Sequence, residues 1–267
     1  LNGTSDQPGA PEFAGDCALV TGAARGLGRG IATAYLRAGA DVVICDISDR
    51  VEEVGEALAA ENGGSVAAMR ADVSEAEDAA AVVELAKDRF GSVDHLVNNA
   101  GIVTIAPLVE TTKEDWERIL AVNLTGVFNF LRTTLPLMLD QGSGSVVNIA
   151  SQAGKRGNMY IAPYCASKAG VISLTQTAAL EAAPNVRVNC VCPGFINTEL
   201  QEEEYDEVSA ITGQDRDEIK AGWMEAMPLG RFQEVEDVAK AVLFLSSPAA
   251  SQTTGEALNI SGGMVMD

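Results

Sequence analysis

Histidine is nearly absent from this chain: of 267 residues, only His95 carries an imidazole. A Ser-His-Asp triad would have to use it, and a His-rich metal site cannot be assembled, so a catalytic base must be of another kind. Basic residues are scarce as well. Eighteen Lys and Arg stand against 38 Asp and Glu, a net charge of −20. Nucleic acids and anionic membranes attract basic patches, so this balance speaks against a non-specific binder of either. No apolar run reaches the roughly 18 residues of a spanning helix. The opening stretch LNGTSDQPGAPEF has neither the basic region nor the apolar run of a signal peptide, and residues 1–14 are expected to form a flexible tail outside the fold. Cysteine offers no framework either. Cys17, Cys45, Cys165, Cys190 and Cys192 are odd in number, and four of them sit inside apolar runs, as buried reduced thiols of a cytoplasmic protein do. No metal site is expected.

What remains is a globular balance, with 47% hydrophobic and 21% charged residues and 26 glycines against nine prolines. Apolar runs recur at 17–21, 41–46, 65–71, 93–98, 145–150, 186–192 and 256–260. Their hydrophobicity is continuous rather than alternating, which predicts parallel strands covered on both faces. Between them, 27–38, 50–61, 75–89, 114–139, 161–183 and 234–246 carry helical spacing, with a capping signal at Ser74 before Glu77. This alternation predicts an α/β protein: one doubly wound Rossmann domain over 15–267, its seven-stranded parallel sheet carrying helices on both faces. The polar stretch 199–228 interrupts the rhythm before the last helix. It is too long for an ordinary connection, and its place after a strand's carboxyl end predicts a lid over a ligand.

After the first strand comes Thr21-Gly22-Ala23-Ala24-Arg25-Gly26-Leu27-Gly28. Glycines let the backbone turn tightly against a pyrophosphate, and the following helix offers free N–H groups and its positive dipole end. Asp46 ends the second strand 18 residues after Gly28. A carboxylate there can accept from adenosine ribose hydroxyls and repels a 2′-phosphate, which favours NAD over NADP. Arg25 and Arg50 are the cations that could instead approach such a phosphate.

The TGxxxGxG spacing, together with Asn98-Asn99-Ala100-Gly101, resembles the short-chain dehydrogenase/reductase family over residues 15–267. The resemblance implies that Asp72 and Val73 hold adenine, that Asn98 stabilises the sheet, and that Asn99, Ala100 and Gly101 line the cofactor ribose. Pro193, Gly194, Ile196 and Thr198 then meet the nicotinamide end. Gly15-Asp16 stands where many members have Gly-Lys, a departure expected to affect only the surface.

Tyr164-Cys165-Ala166-Ser167-Lys168 places a phenol and an ammonium on one helical face. A nearby Lys favours phenolate, and the pair can then take a proton from an alcohol. Ser151, 13 residues earlier, would hydrogen-bond the reacting oxygen. Asn123 matches the family's fourth catalytic residue, which holds a proton-relaying water near Lys168. The resemblance also implies that Lys168 binds the nicotinamide ribose, and that the chain assembles as a homotetramer through the helices at 114–139 and 161–183 and the last strand.

For the substrate, Gln152 beside the catalytic serine and Asn158 are candidate hydrogen-bonding groups, with Phe195, Ile196, Trp223 and Met224 on the apolar side. The segment following Ser151 and the Gly262-Gly263-Met264-Val265 ending resemble the acetoin reductase/butanediol dehydrogenase and polyol dehydrogenase branches. A small polar vicinal diol, polyol or hydroxyketone is therefore expected. Two rivals share the motifs: a 3-oxoacyl-[acyl-carrier-protein] reductase and a non-catalytic dinucleotide-sensing module. Between 199 and 220, nine acids face only Arg216 and Lys220, which should repel an acidic carrier protein.

Overall fold

Uninterrupted Val, Ile, Leu and Cys in the apolar runs build strands that, away from the two edges of the sheet, are buried on both sides. In the computed structural model, which describes residues 12–266, these are β1 (Cys17–Thr21), β2 (Asp41–Asp46), β3 (Val66–Arg70), β4 (His95–Asn98), β5 (Gly144–Ile149), β6 (Val186–Pro193) and β7 (Ala257–Ile260). They form one parallel sheet in the order β3-β2-β1-β4-β5-β6-β7. The helices are α1 (Gly26–Arg37), α2 (Val51–Asn62), α3 (Ala76–Phe90), α4 (Lys113–Leu120), α5 (Gly126–Gln141), α6 (Ala162–Ala182), α7 (Glu199–Thr212), α8 (Arg216–Glu225) and α9 (Val235–Ser246).

Alternate strand residues feed two cores. Leu19, Val43, Leu96, Val146 and Val188 pack with apolar residues of α3, α5 and α6. Ala18, Val20, Val42, Val97, Val147 and Val191 pack with those of α1, α2 and α9. The contact between α1 and α9 is close, since a Cβ on Gly30 would lie 2.0 Å from Val235 Cγ1. Strand order reverses between β1 and β4, and such a switch point opens a crevice at the strands' carboxyl ends.

Four details differ from expectation. Packing begins before residue 15: Phe13 is buried, with its ring edge-on to Tyr35 at 5.4 Å and to His95 at 5.0 Å. The rest of the expected tail, 1–11, lies outside the described residues. Asp16 is more than a surface substitution, because its Oδ2 lies 3.0 Å from His95 Nε2 while His95 Nδ1 lies 2.8 Å from Ser145 Oγ. The lone histidine therefore serves packing at the amino end of β4, the end of the strand away from the crevice. Ser74 does not cap α3; its N–H and hydroxyl both donate to Asp72 Oδ1. The expected single helix over 114–139 is interrupted by a π-helical turn at Ala121–Thr125.

Candidate active site

The turn after β1 is shaped by steric necessity. Gly22 and Gly26 have φ of 65° and 54°, in the left-handed region where a side chain is strained. A Cβ on Gly22 would come within 2.7 Å of Ala100 Cα, and one on Gly28 within 2.2 Å of Gly22 O. Asn99 ties this turn to β4, its Nδ2 donating to Thr21 O and Gly22 O at 2.9 Å each. Its amide is thus occupied in holding the loop. No side chain caps α1 at Arg25, so first-turn N–H groups at Gly26, Leu27 and Gly28 border a crevice cavity of ≈ 700 Å³. Such an end attracts phosphate oxygens.

Asp46 stands at the rim of that cavity. Its Oδ2 accepts from Ala24 N–H and its Oδ1 from Ser48 N–H, both at 3.0 Å. These two bonds aim the carboxylate and leave each oxygen a further lone pair. Asp72 and Val73 form another wall, held by Asn129, whose Nδ2 donates to Val73 O at 3.0 Å and Ser74 O at 3.1 Å. Arg50 pairs with Glu53 at 3.6 Å, outside the cavity wall.

Ser151, Tyr164 and Lys168 line the same cavity, as do Ala100, Gly101, Pro193, Gly194, Ile196 and Thr198. Ser151 is close enough to Tyr164 to favour its phenolate by hydrogen bonding. The Lys168 Nζ lies 5.6 Å from the Tyr164 ring centroid and donates to Ile149 O at 2.7 Å. Burial lowers the Lys168 pKa to about 8, so near pH 7 it is chiefly the ammonium. Burial also raises the pKa of Tyr164, partly offset by the Ser151 hydrogen bond, and the charge of Glu204 raises it further. Desolvation therefore outweighs the expected effect of Lys168, and the resting group is a phenol. Asn123 sits fully buried in the π turn. Its Oδ1 accepts from Ile102 N–H and its Nδ2 donates to Ile102 O, each at 2.8 Å, with a third bond to Ser167 Oγ at 3.2 Å. It clamps the β4–α4 connection against α6 rather than lining the cavity itself. Asn98 lies behind the site, donating to Asn148 Oδ1 within the sheet at 2.8 Å.

The 199–228 stretch folds as α7 and α8, and Glu199, Leu200, Glu203 and Glu204 of α7 close one side of the cavity. Arg25 bridges from the glycine turn to Glu199 at 3.6 Å and Glu203 at 3.7 Å. Of the expected substrate residues only Ile196 is in the wall. Phe195 and Trp223 stack on each other at 4.3 Å in a satellite core with Tyr205, Ile219, Met227 and Phe232. Gln152 is buried behind Gly194, where a Cβ would meet its Oε1 at 3.3 Å. Asn158 engages Cys165 through its backbone N–H at 3.4 Å, and Met224 is absent from the lining. Aromatic side chains packed among protein neighbours are the commoner outcome, whereas Gln152 Oε1 is buried there without a hydrogen-bond partner. Among the wall residues missed in the sequence are Glu199, Leu200, Glu203 and Glu204 of α7, whose spacing marks one helical face.

A family model described as enoyl-(acyl carrier protein) reductase matches residues 22–265. Sorbitol dehydrogenase of Cereibacter sphaeroides is 38% identical over 251 residues, 93% of this chain and 97% of that protein. The 3-oxoacyl-[acyl-carrier-protein] reductase FabG of Thermotoga maritima is 40% identical over 257 residues, 94% of this chain and 98% of that one. Among solved structures, NAD+-bound xylitol dehydrogenase matches with a TM-score of 0.91 at 31% identity, covering 94% of this chain and 100% of its own. Actinorhodin polyketide ketoreductase with NADPH matches at 0.89 and 35% identity, covering 93% and 97%. The chain therefore belongs to the short-chain dehydrogenase/reductase family, oxidoreductases that act on CH–OH groups.

Proposed function

We propose that this protein is an NAD-dependent dehydrogenase interconverting a secondary alcohol and a ketone on a small polar substrate, a vicinal diol, polyol or hydroxyketone. The observation that carries this reading is Tyr164, beside Ser151 and flanked by Lys168, in one cavity with the uncapped glycine turn and Asp46. The uncapped α1 terminus receives the pyrophosphate, Asp46 accepts from the adenosine ribose hydroxyls, and Asp72 and Val73 flank the adenine. A 2′-phosphate would meet the Asp46 carboxylate, which favours NAD. When bound, oxidised nicotinamide supplies the hydride acceptor and a positive charge. Ser151 holds the reacting oxygen by a hydrogen bond, and Tyr164, in the phenolate form that the positive charges around it favour, takes the hydroxyl proton. Lys168 supplies a positive charge beside the phenolate. In the reverse direction Tyr164 returns the proton to the carbonyl oxygen.

The similarity to FabG supports a second reading, reduction of 3-oxoacyl groups on a carrier protein. The lid weighs against it. Its two cations are paired within it: Arg216 with Glu202 and with Asp206, and Lys220 with Glu202. The acids left over present a negative face to an acidic partner.

The test is formation of reduced nicotinamide, followed by absorbance, with butanediols, hexitols and 3-hydroxyacyl thioesters, each under NAD and NADP. Expected is a kcat/KM highest for diols or hexitols with NAD. Turnover confined to the thioester overturns the substrate reading, and failure of the whole panel despite tight binding of reduced cofactor points to a sensing module.

A further inference from the structure

The lid helix carries an acid that its packing does not explain. Glu199 and Glu203 pair with Arg25, and Glu202 with Arg216 and Lys220. Glu204 forms no hydrogen bond or ion pair among the described residues. It is only partly accessible and lines the cavity together with Tyr164 and Ser151. It lies close enough to Tyr164 for its charge to oppose ionisation of the phenol. Burial, and secondarily the neighbouring Glu207, pushes its own pKa to about 7.

A desolvated carboxylate without a donor is costly, and an isolated one is rarely kept where packing alone decides. Replacing it with an apolar residue would relieve both its own desolvation and its effect on Tyr164. What offsets those costs is a ligand that brings hydrogen-bond donors into the cavity. The proton-transfer group sits at Tyr164 and the oxygen-holding hydroxyl at Ser151, so the reacting carbon belongs near those two. Glu204, on the lid side of the same space, faces the remainder of the substrate. Above about pH 7, where Glu204 is ionised, its carboxylate is an acceptor only, so it takes hydroxyl hydrogens and repels a carboxylate or phosphate placed there.

We infer that Glu204 is a substrate-specificity residue whose carboxylate accepts a hydrogen bond from a second hydroxyl of a neutral diol or polyol. This rests on the alcohol–ketone reading above and names the group that would recognise a polyhydroxy substrate within it. It also moves that recognition away from Gln152 and Asn158 to the lid, so that closing α7 over the cavity and recognising the substrate become one event.

The matched pair 2,3-butanediol and 2-butanol differs in the second hydroxyl alone, so the ratio of their kcat/KM values isolates its contribution. With NAD and the full chain, Glu204→Leu is expected to lower the diol-to-monool ratio about 10- to 100-fold, the range for a hydrogen bond to a charged group. Glu204→Gln, nearly isosteric and still an acceptor through its carbonyl, is expected to retain an intermediate ratio. In both variants kcat/KM for 3-hydroxybutyrate should rise relative to the diol, because a negative charge has been removed. A diol-to-monool ratio in Glu204→Gln and Glu204→Leu equal to that of the wild type, with the wild type oxidising the diol, overturns the assignment of Glu204 and leaves the reaction standing. A wild type that oxidises neither butanediol nor a hexitol overturns both. A preference for 1-amino-2-propanol over 1,2-propanediol that Glu204→Gln abolishes would assign the carboxylate to an ammonium and overturn the hydroxyl assignment.

Discussion

A buried phenol is a weak base until its surroundings favour the anion, and here the surroundings are divided. Burial and Glu204 hold Tyr164 protonated, while the Ser151 hydrogen bond favours the phenolate. Tyr164→Phe removes the oxygen and preserves the ring beside Lys168. Reduced-cofactor affinity, measured by calorimetry, should therefore stay within about twofold, whereas kcat should fall by at least about 10³-fold, the scale of a lost general acid/base. Near-wild-type kcat in that variant would remove Tyr164 from the mechanism. These residues were legible because spacing along one strand end or one helix face fixes them: Gly22 to Gly28, Ser151, and Tyr164 four residues before Lys168. The substrate contacts were not. Whether Phe195 presents its face to a cavity or to Trp223, 28 residues away, is decided by tertiary packing that leaves no local pattern. The same holds for Gln152, whose amide turns toward Gly194.

The elements divide in the same way. Strands enclosed on both faces announce themselves as apolar runs, and every run became a strand within about two residues of its expected ends. The π turn at Ala121–Thr125 escaped notice because one inserted residue barely disturbs a 3.6-residue period, yet it carries Asn123, as such turns often do at functional sites. In the lid stretch, polarity and position were readable. Its division into α7 and α8, held by a core of its own, was not. That core makes the stretch a local unit. Trp223 stacks on Phe195 at 4.3 Å and packs against Tyr205 at 5.0 Å, contacts that join α8 to α7 and to the segment after β6. Trp223→Ala should weaken this cluster by about 1–3 kcal/mol, below a full core deletion because the side chain is only half-buried. Local opening then rises while the sheet is untouched. Limited proteolysis within 199–228 should accelerate by about tenfold or more, with little change in the main thermal transition. Equal cleavage rates in variant and wild type would show that the satellite core does not hold α7 and α8 in place.

At the scale of the whole molecule the unbalanced charge of −20 sets two effects of salt against each other. Ion pairs such as Arg25–Glu199, Arg29–Glu61 and Lys113–Glu117 involve side chains at least 40% exposed, and pairs of this kind contribute about 0–1 kcal/mol each, less as salt rises. Against them stands the mutual repulsion of the excess carboxylates, which compaction brings together and the unfolded chain relaxes. Screening lengths fall from ~30 Å at 0.01 M to ~3 Å at 1 M. Salt therefore removes the many long-range repulsions more completely than the attractions between atoms already in contact. The folded state should gain, with Tm rising by several degrees between low-salt buffer and about 1 M NaCl. Chloride is the appropriate test because sulfate would add stabilisation by exclusion from the surface. The exposed pairs that Arg25 makes across the cavity weaken under the same conditions, so proteolysis within 199–228 should quicken even as the main transition moves up. A Tm that falls with NaCl would mean that contact pairs outweigh the dispersed acidic charge, and that the surface depends on its few cations more than on distance between its acids.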